Sequence, residues 1–362
     1  MSAGSEGAPP VPVDMVFTWV DGDDPTHRAK RRAWRGGGGA GAAPAPGGEA
    51  SPGAGTTTAE RERWYQGVGE ITFAVRSVVK HMPWVRTIHV VTDAQTPPVD
   101  AALLESGRVR VVDHTEIVPD AYRPLFASTL IESCLHRIPG LSEVWLYDND
   151  DFLHFAPVPP SVFVTPAPAG GVVLRLKTYR AAVREAIRGA SDSAPGFLPR
   201  ANPYTTGISN AFRVLRARFG ARWRDALVPR HATQVYRTST ALRLEDELAD
   251  VLHASRSLRY RDHRQVSWAT LAYTLERLWH PEDRVRAWSP FDPDPDLGVF
   301  DFLHCTRPGG CEARWKAVEA SRARLACLNN VPAFERERFE RVMEAKGLGA
   351  AAFAGPTGEG IP

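Results

Sequence analysis

The chain has 362 residues, 43% of them hydrophobic, so it is long enough to bury the core of one large domain or of two ordinary ones. Its 44 Lys and Arg residues nearly balance 42 Asp and Glu residues, and a formal charge of +2 gives no electrostatic case for a nucleic-acid partner. No stretch approaches the roughly 18 consecutive apolar residues of a membrane span, and the first residues lack the features of a signal peptide. We therefore expect a cytoplasmic protein without a transmembrane segment.

The first predicted element is a buried strand over residues 13–20, followed by an acidic turn that holds Asp21, Gly22, Asp23 and Asp24. Asp24 precedes a proline, which is typical of a helix N-cap followed by proline at the first helical position. The turn has two compatible interpretations. It caps a helix, or it holds a metal ion or a phosphorylated ligand, with Gly22 letting the backbone approach that ligand closely.

Residues 36–59 are rich in Gly, Ala and Pro and predict a disordered insert. Folded-looking sequence resumes directly afterwards, so the insert interrupts a domain rather than separating two. We therefore expect a single catalytic domain over residues 11–346 and a flexible tail over residues 347–362.

Strands and helices alternate in the next part of the chain, which argues for a parallel α/β sheet. Four predicted strands end on acidic residues. Ligands of open α/β sheets bind beyond the carboxyl ends of the strands, so these acids are expected to converge on one crevice. They are Asp21, Asp93, Asp113 and the run Asp148–Asp151.

From residue 157 to 346 the pattern becomes mainly helical, with amphipathic runs over 208–220, 241–254 and 265–279. The four cysteines are Cys134, Cys305, Cys311 and Cys327. Four cysteines in a chain of this length do not form a disulfide scaffold, so we expect ordinary reduced thiols. A zinc site around Cys305 and Cys311 is a lesser alternative, because their spacing is not a standard zinc pattern.

The stretch "LYDNDDF" carries the clearest chemical signal, because Asp148, Asp150 and Asp151 sit where an apolar strand ends. Neighbouring carboxylates repel one another unless a cation or a shared proton lies between them. Mg²⁺ (or Mn²⁺), bound by one or two carboxylates and by a diphosphate, fits that pattern, and a solvated acidic turn is the alternative. His231 and Arg261 taken alone are more typical of structural and solvated residues.

Together these segments resemble the Stealth family of sugar-1-phosphate transferases, which act in bacterial capsule polysaccharide synthesis. The resemblance rests on "DMVFTWVDGDDP", on "GVGEITFAVRSVVKHMPWVRTIHVVTDAQTP" through "LYDNDDF", on the segment from "RHATQVYRTS" to "YRDHRQVS", and on "ACLNNVP". It spans nearly the whole chain apart from the insert and the two tails.

The resemblance implies transfer of a sugar-1-phosphate from a nucleotide diphosphate sugar donor to a hydroxyl of a glycan acceptor, with release of nucleoside monophosphate. The expected fold class is α/β, a Rossmann-like (glycosyltransferase A-like) core with a helical C-terminal portion. Capsular or exopolysaccharide synthesis would place the enzyme in the cytoplasm, with a peripheral position at the inner face of the cell membrane as a variant of that expectation.

Asp151 is the first choice for the base that takes the acceptor proton, although His231 could exchange roles with it. His231 and Arg261 would match the charge on the transferred phosphate, and Asp150, Asp21 and Asp24 would hold the metal or the donor. The assigned residues are catalytic Asp151, His231 and Arg261; substrate-binding Asp21, Gly22, Asp24, Arg76, Asp93, Ser128 and Asn149; and metal-binding Asp150, Asp151 and Asn330.

Two positions depart from the family pattern. Asn330 stands where an aspartate is usual, and Gln265 stands where an acid usually follows the arginine by four residues. Two other functions stay open at this point. One is a nucleotide-sugar glycosyltransferase that releases nucleoside diphosphate, and the other is a non-catalytic relative that binds polysaccharide.

Overall fold

The computed structural model describes residues 9–35, 65, 67–165, 171–177, 203–222, 225, 227–288, 296–298, 300–301, 311–328 and 331–353. The predicted insert over residues 36–59 lies outside these ranges, and so does Asn330.

The strands of the described part alternate with helices in its first half. In chain order they are β1 (Val13–Thr18), β2 (Ile88–Thr92), β3 (Val109–Asp113), β4 (Val144–Asn149), β5 (Phe152–His154), β6 (Val164–Thr165), β7 (Gly171–Lys177), β8 (Gln234–Arg237), β9 (Arg284–Trp288), β10 (Phe300–Asp301) and β11 (Leu325–Cys327).

The helices surround this set of strands. In chain order they are α1 (Pro25–Arg35), α2 (Glu70–His81), α3 (Ala101–Glu105), α4 (His114–Ile117), α5 (Ser128–Glu132), α6 (Pro203–Phe219), α7 (Thr238–Glu247), α8 (Ala249–Arg256), α9 (Trp268–Trp279), α10 (Glu312–Ala320) and α11 (Arg336–Ala345).

A five-stranded sheet in the order β3-β2-β1-β4-β8 forms the centre of the fold. The first four strands are parallel, and β8 pairs with β4 in the antiparallel direction. All residues of β2 and most residues of β1 and β4 are buried, as expected for a sheet covered on both faces. This sheet confirms the predicted α/β class with a Rossmann-like core. The chain reverses its strand order between β1 and β4, which is where such sheets bind ligands.

The portion over residues 157–346 is less uniformly helical than predicted. It contains α6 to α11 but also β6 to β11, and two three-stranded sheets form beside the central one. The run over 241–254 is split, because Leu248 has φ −123° and ψ 28° and separates α7 from α8. The predicted helix after Ser128 is also short, since its α-helical part ends at Glu132.

Residues at the start of the predicted tail are packed against the domain. Leu348 is fully buried, and its carbonyl accepts a hydrogen bond from Arg76 at 3.2 Å. The Phe353 ring lies 5.5 Å from the Arg76 guanidinium. Ordered packing therefore continues past the boundary at residue 347, as far as Phe353.

The thiol prediction is confirmed for two cysteines and is wrong for a third. Cys134 and Cys327 are free and buried, whereas Cys311 is disulfide-bonded. Disulfides are rare in reducing compartments. Within the described ranges, no helix combines the length and apolarity that a membrane crossing requires.

A buried acid anchors the amino end of the sheet. Asp14 on β1 is fully buried and accepts two hydrogen bonds from the Arg86 guanidinium, at 2.9 and 2.6 Å, and one from the Ser142 amide at 2.8 Å. Burial alone would raise the pKa of Asp14, but the hydrogen bonds from His89, Arg86 and Ser142 hold it well below the ordinary value of 3.8.

Replacing Asp14 by Asn should lower the free energy of unfolding by about 2 kcal/mol at pH 7, because buried donors lose their charged acceptor. A depressed pKa contributes stability above the unfolded-state value and loses it as the pH falls. The wild-type advantage should therefore shrink below about pH 4. Urea unfolding at pH 7 and pH 3 measures both effects, with the exposed Asp246→Asn as control. Equal unfolding energies for Asp14→Asn and wild type at pH 7 would contradict this account.

Candidate active site

A cavity of about 280 Å³ lies at the carboxyl edge of the central sheet, beyond the ends of β1, β3 and β4. Five of the residues assigned from sequence line it together: Ser128, Asn149, Asp150, Asp151 and Arg261. They come from three separate segments of the chain. Asp150 and Asp151 follow the end of β4, and Arg261 lies in the segment before α9.

Three carboxylates crowd one end of the cavity. Burial raises the pKa of Asp150 well above its usual range, and the neighbouring charges of Asp151 and Glu70 raise it further. Burial raises the pKa of Glu70 to about 7, although its side chain accepts a hydrogen bond from the Val68 amide at 2.7 Å. The cluster therefore favours a bound cation or shared protons over three ionised carboxylates.

Asp151 has the most varied surroundings of the three. Burial raises the pKa of its carboxyl group, whereas the nearby His231 and a hydrogen bond with the Cys327 thiol lower it. The Asp151 carbonyl accepts the Leu328 amide at 2.9 Å, which fixes the backbone against β11. Its Oδ1 atom is buried and has no hydrogen-bond partner in the described part of the chain.

His231 lies near the same acids but is not among the described residues that line the cavity. Its ring meets Phe152 edge-on, with the centroids 5.0 Å apart. Its charge acts on both Asp148 and Asp151. The structure thus brings His231 next to Asp151, as the catalytic assignment requires, although the two are 80 residues apart in sequence.

Arg261 faces the cavity from the side of α5. Its Nη2 atom donates to Ser128 Oγ at 3.3 Å. The next turn of α5 presents Glu132, whose pKa is raised by burial to about 7 and lowered in part by Tyr147 and Arg261. The Tyr147 hydroxyl lies 3.3 Å from Glu132 Oε1 and donates to Asn149 Oδ1 at 2.8 Å. This network ties the arginine, the helix and β4 together.

Two predicted substrate-binding acids have backbone roles. The Asp24 side chain accepts the His27 amide at 2.7 Å, which confirms the predicted N-cap of α1. Asp21 is exposed, and its backbone exchanges two hydrogen bonds with the Gln95 side chain, each of 2.9 Å. Neither is among the described residues that line the cavity. The acidic turn therefore caps α1 and lies outside the described lining of the cavity.

Gly22 is required by a close approach of the chain to itself. A Cβ atom on Gly22 would lie 1.8 Å from the Tyr65 carbonyl oxygen. The Arg31 guanidinium covers the Tyr65 ring at 3.9 Å and donates to the Gly22 carbonyl at 3.2 Å. Because Tyr65 lines the cavity, Gly22 shapes the site indirectly.

The remaining two assignments lie behind or outside the cavity. Asp93 pairs with Lys30 at 2.5 Å and lies 3.6 Å from His27 and 3.8 Å from His114. Arg76 binds Asp100 through two hydrogen bonds of 2.8 and 2.6 Å and lines no part of the cavity. Its contacts are structural.

Sequence reasoning missed several cavity residues: Glu70, His27, His114, Tyr65 and Phe126. Glu70 could not be recognised as a site residue, because an acid in the first turn of a helix is already expected from the helix dipole. His114 follows Asp113 at the end of β3, and this position at a strand end is the one sequence feature that could have placed it at the site. Burial lowers the pKa of His27, and that of His114 to about 4, so both are neutral at pH 7.

The metal assignment rests on Asp150 and Asp151 alone within the described ranges. There, no three His, Cys, Asp or Glu side chains form a ready-made metal cluster. Mg²⁺ commonly takes one or two protein carboxylates and completes its shell with water and phosphate. Two crowded carboxylates and the unpartnered Asp151 Oδ1 fit that mode of binding.

The chain has an open, mainly parallel sheet with a polar cavity beyond its carboxyl edge. This is the place where α/β proteins with open sheets bind their ligands. The chain belongs to the Stealth family. Residues 11–39 match conserved region 1 of Stealth proteins and residues 64–170 match conserved region 2.

Three curated relatives carry related names. The chain is 33% identical over 264 residues to an exopolysaccharide phosphotransferase of Streptomyces coelicolor, which covers 72% of this chain and 39% of the relative. It is 37% identical over 152 residues to a receptor polysaccharide phosphotransferase of Streptococcus oralis, covering 42% and 41%. It is 33% identical over 168 residues to a capsular polysaccharide phosphotransferase of Haemophilus influenzae, covering 46% and 42%.

The alignments therefore span about two fifths of the length of these relatives.

Two solved structures are similar over most of the chain. One is the galactosyltransferase LgtC with donor and acceptor sugar analogues, at 11% identity and a TM-score of 0.38, covering 92% of this chain and 95% of that one. The other is mouse xyloside xylosyltransferase 1, at 10% identity and a TM-score of 0.34, covering 89% and 99%. Both scores are too low to carry an argument.

Replacing Gly22 by Ala should destabilise the protein by about 1–3 kcal/mol, because the added methyl group forces Tyr65 away from the turn. Activity should fall with it, since Tyr65 lines the cavity. Thermal unfolding measures the first effect. The matched control is Gly207→Ala, whose Cβ would be 3.4 Å from its nearest neighbour and which sits in α6, where alanine is favoured. A Gly22→Ala protein as stable as Gly207→Ala would refute the close approach.

Proposed function

We propose that this protein transfers a sugar-1-phosphate from a nucleotide diphosphate sugar to a hydroxyl of a glycan acceptor and releases nucleoside monophosphate. The observation that carries the proposal is the cavity that joins Asp150, Asp151 and Arg261, in a chain whose named relatives are polysaccharide phosphotransferases. Capsular or exopolysaccharide synthesis is the process that those names suggest.

The reaction joins the acceptor oxygen to the sugar-bearing phosphorus and breaks the bond from that phosphorus to the bridging oxygen. The bridging oxygen leaves with the bonding electrons as part of the nucleoside monophosphate, and the acceptor proton passes to a base. We assign this base to Asp151. A pKa raised by burial brings a carboxylate closer to neutral pH and makes it a better base, and the adjacent His231 keeps it from rising further.

Positive charge must compensate the oxygens of the transferred phosphate in the transition state. Arg261 supplies a permanent cation with a forked donor set, and Ser128 holds one of its nitrogens at 3.3 Å. His231, whose ring packs against Phe152 next to Asp151, would supply a second donor. The neutral His27 and His114 also line the cavity and add no charge to it.

Mg²⁺ (or Mn²⁺) would be held by Asp150 and Asp151 and would neutralise the charge of the donor diphosphate. Asp150 then has a binding role and Asp151 combines binding with proton acceptance. The crowded carboxylates support this division, because burial raises both pKa values and the charges of Asp151 and Glu70 raise that of Asp150 further, and a bound cation would offset these effects.

We also propose that the protein works in the cytoplasm, with a peripheral position at the inner face of the membrane, where donor and growing glycan would meet. The disulfide at Cys311 is unusual for that compartment. Titration of free thiols in the protein isolated from its native cytoplasm tests this part of the proposal separately.

The identity of the released nucleotide tests the reaction. A panel of nucleotide diphosphate sugars with Mg²⁺ and a glycan acceptor should yield nucleoside monophosphate in proportion to sugar phosphate incorporated. A glycosyltransferase would release nucleoside diphosphate instead, and a non-catalytic relative would release neither. Chromatography of the nucleotides, with phosphorus NMR of the glycan, distinguishes the three outcomes.

The roles of the charged residues predict a graded loss of rate. Asp150→Asn, Asp151→Asn and Arg261→Ala should each lower kcat by roughly a hundredfold or more in a folded protein, because one preorganised charge is lost. Arg261→Lys should recover part of that loss, since it keeps the charge without the fork. The exposed Asp23→Asn is the matched control. Turnover that persists in excess chelator would remove the metal from the proposal.

A further inference from the structure

The backbone pairing between β4 and β8 ends just before the acidic end of β4. Its last register pair is Tyr147 with Gln234. The next residues outward, Asp148 and Thr233, are joined through their side chains instead. Thr233 Oγ1 donates to Asp148 Oδ2 at 3.2 Å, and both residues are buried. A side-chain bond therefore continues the attachment of the two segments beyond the strand pair.

The same oxygen of Asp148 has a second partner on β5. His154 Nε2 lies 3.0 Å from Asp148 Oδ2, and neither side chain is exposed. One carboxylate thus links its own strand β4 to β5 and to the residues before β8. Three buried polar groups in this position are costly unless they satisfy one another, so the arrangement has little freedom to move.

The link is one of the contacts that hold the segment carrying His231, whose Arg230 amide also donates to the Arg175 carbonyl of β7 at 2.9 Å. Thr233 follows His231 by two residues, and the Ala232 amide donates to the Arg230 carbonyl at 2.9 Å, which makes the segment a tight turn. The His231 ring then rests against Phe152, which follows Asp151 directly. The position of the ring relative to Asp151 therefore depends on where Asp148 holds Thr233.

Asp148 Oδ1 is also buried and accepts no hydrogen bond from the described part of the chain. The positive form of His231 acts on this carboxylate. A carboxylate behind an active-site imidazole commonly fixes the orientation of the ring. Asp148 is buried and contacts His154 and Thr233, so its effect on the His231 ring passes through Thr233. Nothing in the reaction assigned to Asp150, Asp151 and Arg261 uses it.

We propose that Asp148 is a positioning residue, which holds the 231–233 segment through Thr233 so that the His231 imidazole faces Asp151. This inference deepens the proposed phosphotransfer and rests on it for its kinetic consequences. Asp148 itself touches no reacting group. Its effect on the reaction passes through His231.

Thr233→Val tests the link, because valine keeps the shape of threonine and lacks the hydroxyl. We expect kcat to fall about tenfold to a hundredfold, as for a misplaced catalytic group, while the KM of the donor stays within about twofold. Thr233→Ser restores the hydroxyl and should recover most of the rate. The matched control is Thr240→Val, because Thr240 is buried on α7 and its hydroxyl has no partner in the described ranges.

Asp148→Asn tests the other half of the link. The amide keeps the size of the carboxyl group but cannot accept from both His154 and Thr233 through one charged oxygen. In the double variant with Thr233→Val, the loss of kcat should be no larger than the larger single loss, because both changes break the same contact. If Asp148→Asn fails to fold, the threonine series decides alone. A folded Thr233→Val protein with wild-type kcat overturns the proposal.

Imidazole NMR gives a readout that does not need turnover. The chain has 11 histidines, so protein labelled with ¹⁵N-histidine gives few ring signals, and His231→Gln identifies those of His231. These signals should shift or broaden in Thr233→Val and stay unchanged in Thr240→Val. Unchanged His231 signals in Thr233→Val overturn the positioning role. If the wild type releases no nucleoside monophosphate, the proposed function fails, and the NMR result still decides the positioning role.

Discussion

At the carboxyl end of β4, burial removes water from Asp148, Asp150 and Asp151 and raises the pKa of all three carboxyl groups. Asp148 lies on the buried strand, whereas Asp150 and Asp151 follow its end and are only partly exposed. Groups that carry positive charge, or that donate hydrogen bonds, must therefore come to them from elsewhere in the chain. Most of the architecture around the cavity can be understood as a response to that requirement.

The response differs from one acid to the next. Asp148 is matched by His154 and Thr233 and has become part of the protein interior. Asp151 receives His231 and the Cys327 thiol on one side and remains open on the other. Asp150 has Glu70 and Asp151 as its charged neighbours, so it is the acid with the strongest need for an external cation. Three aspartates within four residues thus have three distinct chemical characters.

The sheet and its acidic edge could be predicted from sequence, because both depend on local patterns. Among the acids predicted to converge at the strand ends, Asp150 and Asp151 line the cavity, whereas Asp21, Asp93 and Asp113 do not. The strands β1 to β4 themselves follow from apolar runs in the local sequence. The predicted cap at Asp24 was correct for the same reason. The partners of Asp151 could not be derived from pattern, since the Cys327 thiol and the β8 pairing depend on contacts that are long-range in sequence.

Charged residues were also assigned to the site when their charge has a structural role. Arg76 was expected at the substrate, but it binds Asp100 and the Leu348 carbonyl, because a buried arginine needs several acceptors at once. Gln265 stands where an acid was expected, and it is buried, with its backbone carbonyl accepting the Asn210 side chain at 2.9 Å. The side-chain amide of Gln265 accepts from Thr129 Oγ1 and donates to the Pro203 carbonyl, each at 3.4 Å, so it links α5 and the start of α6 to the arginine segment.

The antiparallel attachment of β8 to β4 has a consequence for how such a site can diversify. Tyr147 and Gln234 are neighbours in space although 86 residues lie between them in the chain. The closure entropy of a loop grows only slowly with its length. Changes in the length of the connecting chain would therefore cost little closure entropy, provided that β5 to β7 and α6, which lie in it, keep their packing. The acids that follow Tyr147 and the His231 segment that precedes Gln234 are held together by the strand pair, whatever the length of the chain that joins them.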